Sequence, residues 1–136
     1  ARSMTDMHET MLIEVIDQTM AIVYGKDWAH TRLPNCKCDK LLRRSKTKGG
    51  LPLEHADFAH YELIMCHDEH FADAFQLGFS EPAVLRDLLK EIGELRAASH
   101  HAGRAFGPDD LVKMRVAYAA LRKGLSEIWN EVAPDA

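Results

Sequence analysis

Arg96, Ser99, His100 and His101 stand close together in the segment Arg96-Ala97-Ala98-Ser99-His100-His101. An arginine grips a phosphate through a forked pair of hydrogen bonds, and a histidine titrates near neutrality and moves protons. Together they are the parts needed to cleave a phosphodiester without a metal. On a regular helix His100 lies about 40° from Arg96, whereas His101 lies about 140° away, so a frayed helix end or a second subunit must bring His101 round. The bland alternative is that Arg96 pairs with Glu91 or Glu94 and that the histidines follow the preference of cations for a helix C-terminus.

Two other groups could carry chemistry. The run from Lys37 through Lys40, Arg43, Arg44 and Lys46 to Lys48 is the only dense basic patch, and it would suit an RNA backbone. Its ordinary reading is a solvated loop. Cys36 and Cys38, with Cys66, His67 and His70, supply enough soft and imidazole ligands for a tetrahedral zinc site as a lesser alternative. Cys-x-Cys is tighter than the usual zinc spacing and no second pair mirrors it, so buried thiols and surface histidines are the favoured reading. No metal or other cofactor is therefore expected.

The elements that must position these groups read as helices. Leu12, Val15, Ile16, Thr19, Met20 and Val23 repeat at helical spacing from about Met7 to Tyr24, with Asp6 and Glu9 at capping-box spacing and Gly25 as a stop. Cys36 to Arg44 reads as a short helix leading into a mobile loop that ends at Gly49-Gly50. Phe58, Tyr61, Ile64, Met65, Phe71 and Phe75 suggest one or two short helices with a break near Cys66-His67-Asp68. Ser80-Glu81-Pro82 opens a helix whose stripe is Leu85, Leu88, Leu89, Ile92 and Leu95 and which ends near Gly103. Gly107-Pro108-Asp109-Asp110 opens the last helix, striped by Leu111, Met114, Leu121, Leu125, Ile128, Trp129 and Val132. No stretch has a strand period, so the class is all-α, with about four to five main helices plus short ones. Trp28 and Trp129 read as core or interface anchors and the methionines as core fillers.

A length of 136 residues fits one domain, here 7–132, with residues 1–6 as a tag or disordered start and 133–136 as a tail. The formal net charge of -4 gives no global field toward nucleic acid, so any RNA contact needs a local patch. Three cysteines are an odd number in a chain able to pack a core unaided, which argues against a disulfide scaffold and for a reducing, cytoplasmic setting. No run approaches the roughly 20 apolar residues of a membrane helix.

The segment Glu91-Ile92-Gly93-Glu94-Leu95-Arg96-Ala97-Ala98-Ser99-His100-His101 resembles the signature of HEPN domains, an arginine at a helix end followed after four to six residues by histidine. Tyr24-Gly25-Lys26-Asp27-Trp28 with Leu33-Pro34 is similar to the pattern closing the first helix in one HEPN subgroup, and His55 to Phe75 resembles the stretch before that subgroup's motif helix. The resemblance implies a HEPN-like helical bundle and homodimerisation through the motif helices. It also implies metal-independent RNA cleavage in defence or toxin–antitoxin systems, with an antitoxin or fused effector domain as partner. By resemblance, Arg96 matches the family arginine and His101 its histidine.

The expected reaction is attack of a ribose 2′-hydroxyl, deprotonated by His101 or His100, on the adjacent phosphorus, leaving a 2′,3′-cyclic phosphate while Arg96 stabilises the transition state. Ala97 stands where the family often carries asparagine or another polar residue, which favours the alternative, a non-catalytic module binding RNA, a nucleotide or a protein.

Overall fold

Helix signals in the sequence are realised throughout the computed structural model, which describes residues 2–100 and 106–132. Among these, seven α-helices and two short 3-10 turns occur and no strand: α1 Arg2–Tyr24, α2 Trp28–Asn35, α3 Asp39–Lys48, α4 Phe58–Met65, α5 Asp68–Asp73, α6 Pro82–His100 and α7 Pro108–Val132. The 3-10 turns are Pro52–His55 and Phe75–Leu77. The chain is an all-α bundle in which α7 packs on α1 and α6, and α4 packs on α6.

Local chemistry explains most boundaries. Gly25 ends α1 at φ 102, a left-handed conformation cheap only for glycine, and its N–H returns to the Ala21 carbonyl. Asp57 caps α4: its carboxylate accepts the His60 N–H at 3.1 Å, and the Asp57 N–H is donated to His60 Nδ1 at 3.1 Å. The same His60 nitrogen lies 3.0 Å from the Asp57 carboxylate, but a nitrogen accepting an amide proton is not a cationic donor, so this is a neutral cap rather than an ion pair. Gly107 donates to the Asp110 carboxylate ahead of Pro108, which opens α7.

Three boundaries depart from the sequence reading. α1 begins at Arg2 rather than near Met7, which puts Asp6 and Glu9 inside the helix and not in a cap. The basic run is not a loop, since α3 extends to Lys48 and places Lys40, Arg43, Arg44, Lys46 and Lys48 on a helix. Trp28 to Asn35 forms a further helix despite Pro34, which has no N–H to donate to the His30 carbonyl and stands one residue before the helix ends. The expected end of α6 near Gly103 lies outside the described residues.

The core joins Leu12, Ile16 and Met20 of α1 to Leu85, Leu89 and Ile92 of α6 and to Met114, Leu121, Leu125 and Ile128 of α7, all essentially without exposure. Burying each such side chain contributes about 1.5–3 kcal/mol, so this layer supplies the main drive to fold. Of the stripe residues expected for α7, Leu111, Trp129 and Val132 are only half-buried. Trp28 is a core residue, 3% exposed, and its indole N–H is donated to Asp17 at 3.1 Å.

One contact is unusually close. Gly78, after the second 3-10 turn, lies against Gly124 of α7, and a Cβ at Gly78 would sit 2.1 Å from the Gly124 carbonyl oxygen. That obstacle is backbone, which cannot rotate aside. Gly78→Ala is expected to lower stability by about 1–3 kcal/mol, the usual cost of overpacking a tight core. Urea unfolding should show a lower midpoint at unchanged slope; an unchanged midpoint would contradict this packing.

Candidate functional sites at Arg96, on α3 and around Arg32

Arg96 lies on α6, three residues before Ser99, and its partner is neither Glu91 nor Glu94. Its Nε–H is donated to the Glu9 carboxylate of α1 at 2.9 Å, across 87 residues of sequence. Glu9 is the better buried of the two, at 15% side-chain exposure against 36% for Arg96. A half-buried carboxylate therefore anchors one edge of the guanidinium. Tyr61 lies near both charges, and burial raises its phenol well above the ordinary value, with Glu9 adding to the rise and Arg96 opposing it.

Arg96 also lines a groove of about 670 Å³ between α4 and α6, together with Lys90, Ala97, Asp57, Glu62 and Glu94. Three carboxylates against two cations make it a poor receptor for a polyanion. Ser99 donates its hydroxyl to the Arg96 carbonyl at 2.8 Å, which engages it within the helix. Ala97 is exposed and offers no polar atom. The backbone of His100 is the last described part of α6, and His101 lies outside the described residues.

The α3 residues form a different surface. Leu41 is buried, and Lys40, Arg43 and Lys46 recur every three residues along the exposed opposite side. Arg43 is paired with Asp39 one turn earlier at 2.6 Å, a fully solvated contact that costs little to exchange. Arg44 is half-buried and donates to the His55 carbonyl at 3.3 Å, which ties α3 to the first 3-10 turn. Arg43 and Lys46 line a groove of about 720 Å³ with Lys26 and His30 from the α1–α2 region, so residues distant in sequence extend the basic surface. Asp17 and Asp27 share that groove, but the Asp17 carboxylate is occupied by the Trp28 indole. Lys37, in the turn before α3, and Lys48, its last residue, are exposed.

The five residues considered for zinc separate. Cys36, Cys66 and His67 line one cleft of about 300 Å³, while Cys38 is fully buried at 0% exposure. His70 is also fully buried and both ring nitrogens are committed: Arg32 Nε–H is donated to Nε2 at 3.0 Å, and Nδ1 lies 2.7 Å from the Ile64 carbonyl. Arg32 can only donate, so Nε2 accepts and Nδ1 carries the proton given to Ile64. No lone pair remains for a metal. Among the described residues no group of three or more histidines, cysteines or acids is arranged to hold one.

Sequence reasoning missed this Arg32 cluster. Its guanidinium also lies 4.4 Å over the Tyr24 ring and 3.3 Å from the Glu69 carboxylate, an ion pair without the alignment of a hydrogen bond. Tyr24 in turn donates its hydroxyl to Asp73, and burial together with that carboxylate pushes its phenol far above the ordinary range. The available signal was the combination of Tyr24 at a helix end, Arg32 on a short amphipathic segment and the His67–His70 spacing, none of which specifies a partner by itself.

No protein-family model, curated protein or solved structure matches the chain. Among the described residues no helix is long and apolar enough to cross a membrane.

Burial lowers the His70 imidazole to about 4, with His67 and Arg32 adding to the fall and the Ile64 bond opposing it. An unfolded histidine titrates near 6.5. Between these values the unfolded chain holds a proton that the folded chain refuses, so stability should fall as pH drops from about 6.5 toward 4. At about 1.4 kcal/mol per unit the total approaches about 3 kcal/mol. His70→Gln should be less stable at pH 7 yet show a flatter loss across that window. Equal slopes for the two proteins in urea titrations would remove His70 from the account.

Proposed function

We propose that the chain is a HEPN-like helical domain that binds RNA through the basic side of α3 and the neighbouring groove. The observation carrying this reading is the exposed series Lys40, Arg43 and Lys46, extended by Lys26 and His30 around one groove, in a chain whose net charge is -4. Concentrating cations locally against an unfavourable global charge is how a polyanion is steered to one place. The grip would be on phosphates, which gives affinity without sequence preference.

A second reading, a metal-independent endoribonuclease, is favoured by the Arg96–Glu9 contact, because a guanidinium anchored at Nε is oriented and keeps its two terminal nitrogens for a phosphate. Two physical points place it second. Glu9 already neutralises much of the charge that would stabilise a phosphorane, and the surrounding groove is acidic. Under this reading His101 or His100 would act as base, and a homodimer would assemble the site from two motif helices.

Labelled single-stranded and structured RNA, titrated with the protein in EDTA at several salt concentrations, separates these readings. Lys40→Ala/Arg43→Ala/Lys46→Ala is expected to weaken binding at least about tenfold and to make the salt slope shallower by about 2, near 0.7 per lost phosphate contact. Binding with no product is the expected outcome. A triple variant that binds as wild type, with the same slope, overturns the proposal. Products ending in 2′,3′-cyclic phosphate, abolished in Arg96→Ala and His101→Ala, would establish the nuclease instead.

A further inference from the structure

Cys36 and Cys38 occupy the turn between α2 and α3, and the cleft beside it has no part in the reading above. We propose that these two thiols form an oxidisable pair, in which Cys36 reacts with a peroxide and Cys38 resolves the product to a reversible disulfide.

The geometry brings the sulfurs together. Lys37, between them, adopts φ 64 and is the only described non-glycine residue with positive φ. A left-handed residue of this kind carries strain and persists only where its surroundings impose it. Here the turn is closed by Cys36 N–H and Cys38 N–H, which both reach the Leu33 carbonyl at 3.3 and 2.8 Å, and by Lys37 N–H, donated to the Pro34 carbonyl at 3.2 Å. Residues two apart lie at most about 7 Å from each other even in extended chain, and a closed turn shortens this into the roughly 4.4–6.8 Å range that a disulfide spans. The Cys38 Sγ reaches back to the Cys36 carbonyl at 3.5 Å, and the Cys36 Sγ lies 3.5 Å from the Leu33 carbonyl that also accepts the Cys38 N–H, so both side chains stay on the one closed turn.

The thiols are not equivalent. The Cys38 thiol beside it, the amides of the turn and the Arg32 guanidinium hold the Cys36 thiol below its ordinary value, against the effect of burial. That same contact and burial push Cys38 up. Cys36 lines the cleft with Lys37, His67 and Arg86, while Cys38 is sealed behind it. Cys66 also reaches the cleft, but burial raises its thiol to about 11, and no second cysteine stands next to it in sequence to resolve an oxidised sulfur.

The steps balance with hydrogen peroxide as oxidant. The Cys36 thiolate attacks one peroxide oxygen, the O–O bond breaks, and hydroxide leaves as Cys36 becomes a sulfenic acid. The Cys38 sulfur then attacks the Cys36 sulfur. The S–S bond forms, the S–O bond breaks, and the departing oxygen takes the Cys38 proton to leave as water. The two thiols lose two electrons in total and the peroxide becomes two waters.

The test uses the intact chain treated with hydrogen peroxide under native conditions, then blocked, denatured and digested with trypsin. The expected result is a mass loss of about 2 Da that dithiothreitol reverses. Leu33 to Lys37 should be found joined to Cys38 to Lys40, with Cys66 recovered as a free thiol. In Cys38→Ser a dimedone adduct should accumulate on Cys36. A Cys36–Cys66 link, oxidation starting at Cys66, or no mass change in the wild-type chain would each overturn the proposal, and the wild-type mapping decides it even if the variant does not fold. RNA binding does not enter this readout, so its failure and the failure of the RNA reading are distinguishable.

Discussion

Arg32 is the residue that fastens the short helix α2 to the end of α1 and to α5. Its guanidinium stacks on Tyr24 at the end of α1, donates to His70 and pairs with Glu69 of α5, while its own carbonyl accepts the Cys36 thiol. Such a node is costly to bury, and the His70 hydrogen bond, the Tyr24 ring and the Glu69 charge offset that cost although the Arg32 Nη2 makes no aligned hydrogen bond. His70 passes the restraint on, since its other nitrogen bonds to the Ile64 carbonyl of α4. The short helices α2 and α3, marginal on propensity alone, are thus fixed to the bundle by a polar network as well as by apolar packing.

That arrangement divides the molecule by electrostatics. On one side α3 and its groove collect exposed cations beside the exposed Asp27 and Asp39 and beside Asp17, whose carboxylate is bonded to the Trp28 indole. On the other, Arg96 is held by Glu9 in a groove with an excess of carboxylates. An ionised arginine keeps its charge in either place, yet its ability to attract a phosphate depends on what already compensates it. For this reason the RNA reading moves its weight from the Arg96 segment to α3. Arg96 remains a candidate for chemistry that needs an oriented guanidinium.

Much of the fold was legible in the residues, and the reasons are local. Gly25, the Cys66-His67-Asp68 break, Ser80-Glu81-Pro82 and Gly107-Pro108-Asp109-Asp110 each carry their own start or stop chemistry, and the structure places helix boundaries there. The stripe of α6 reads off directly because it is uninterrupted. The helical state of Lys46 and Lys48 was hidden because a highly charged segment beside two glycines looks like a loop, and Leu41 is the only fully buried side chain that anchors it. The Glu9–Arg96 and Arg32–His70 partnerships were not legible, because spacing along one chain gives the neighbours on a helix but not the residue delivered by another helix. His101, the histidine that the family resemblance nominates, lies outside the described residues.

Hydrogen–deuterium exchange on Arg32→Met tests the role of the Arg32 node most directly, because methionine keeps the apolar stem and removes every contact of the guanidinium. The amides of α2 and α3 should lose protection relative to wild type, while those in the middle of α6 and α7, packed in the apolar core, should keep theirs. Unchanged protection in α2 and α3 would contradict the account, since those helices would then be held by apolar packing without the Arg32 network.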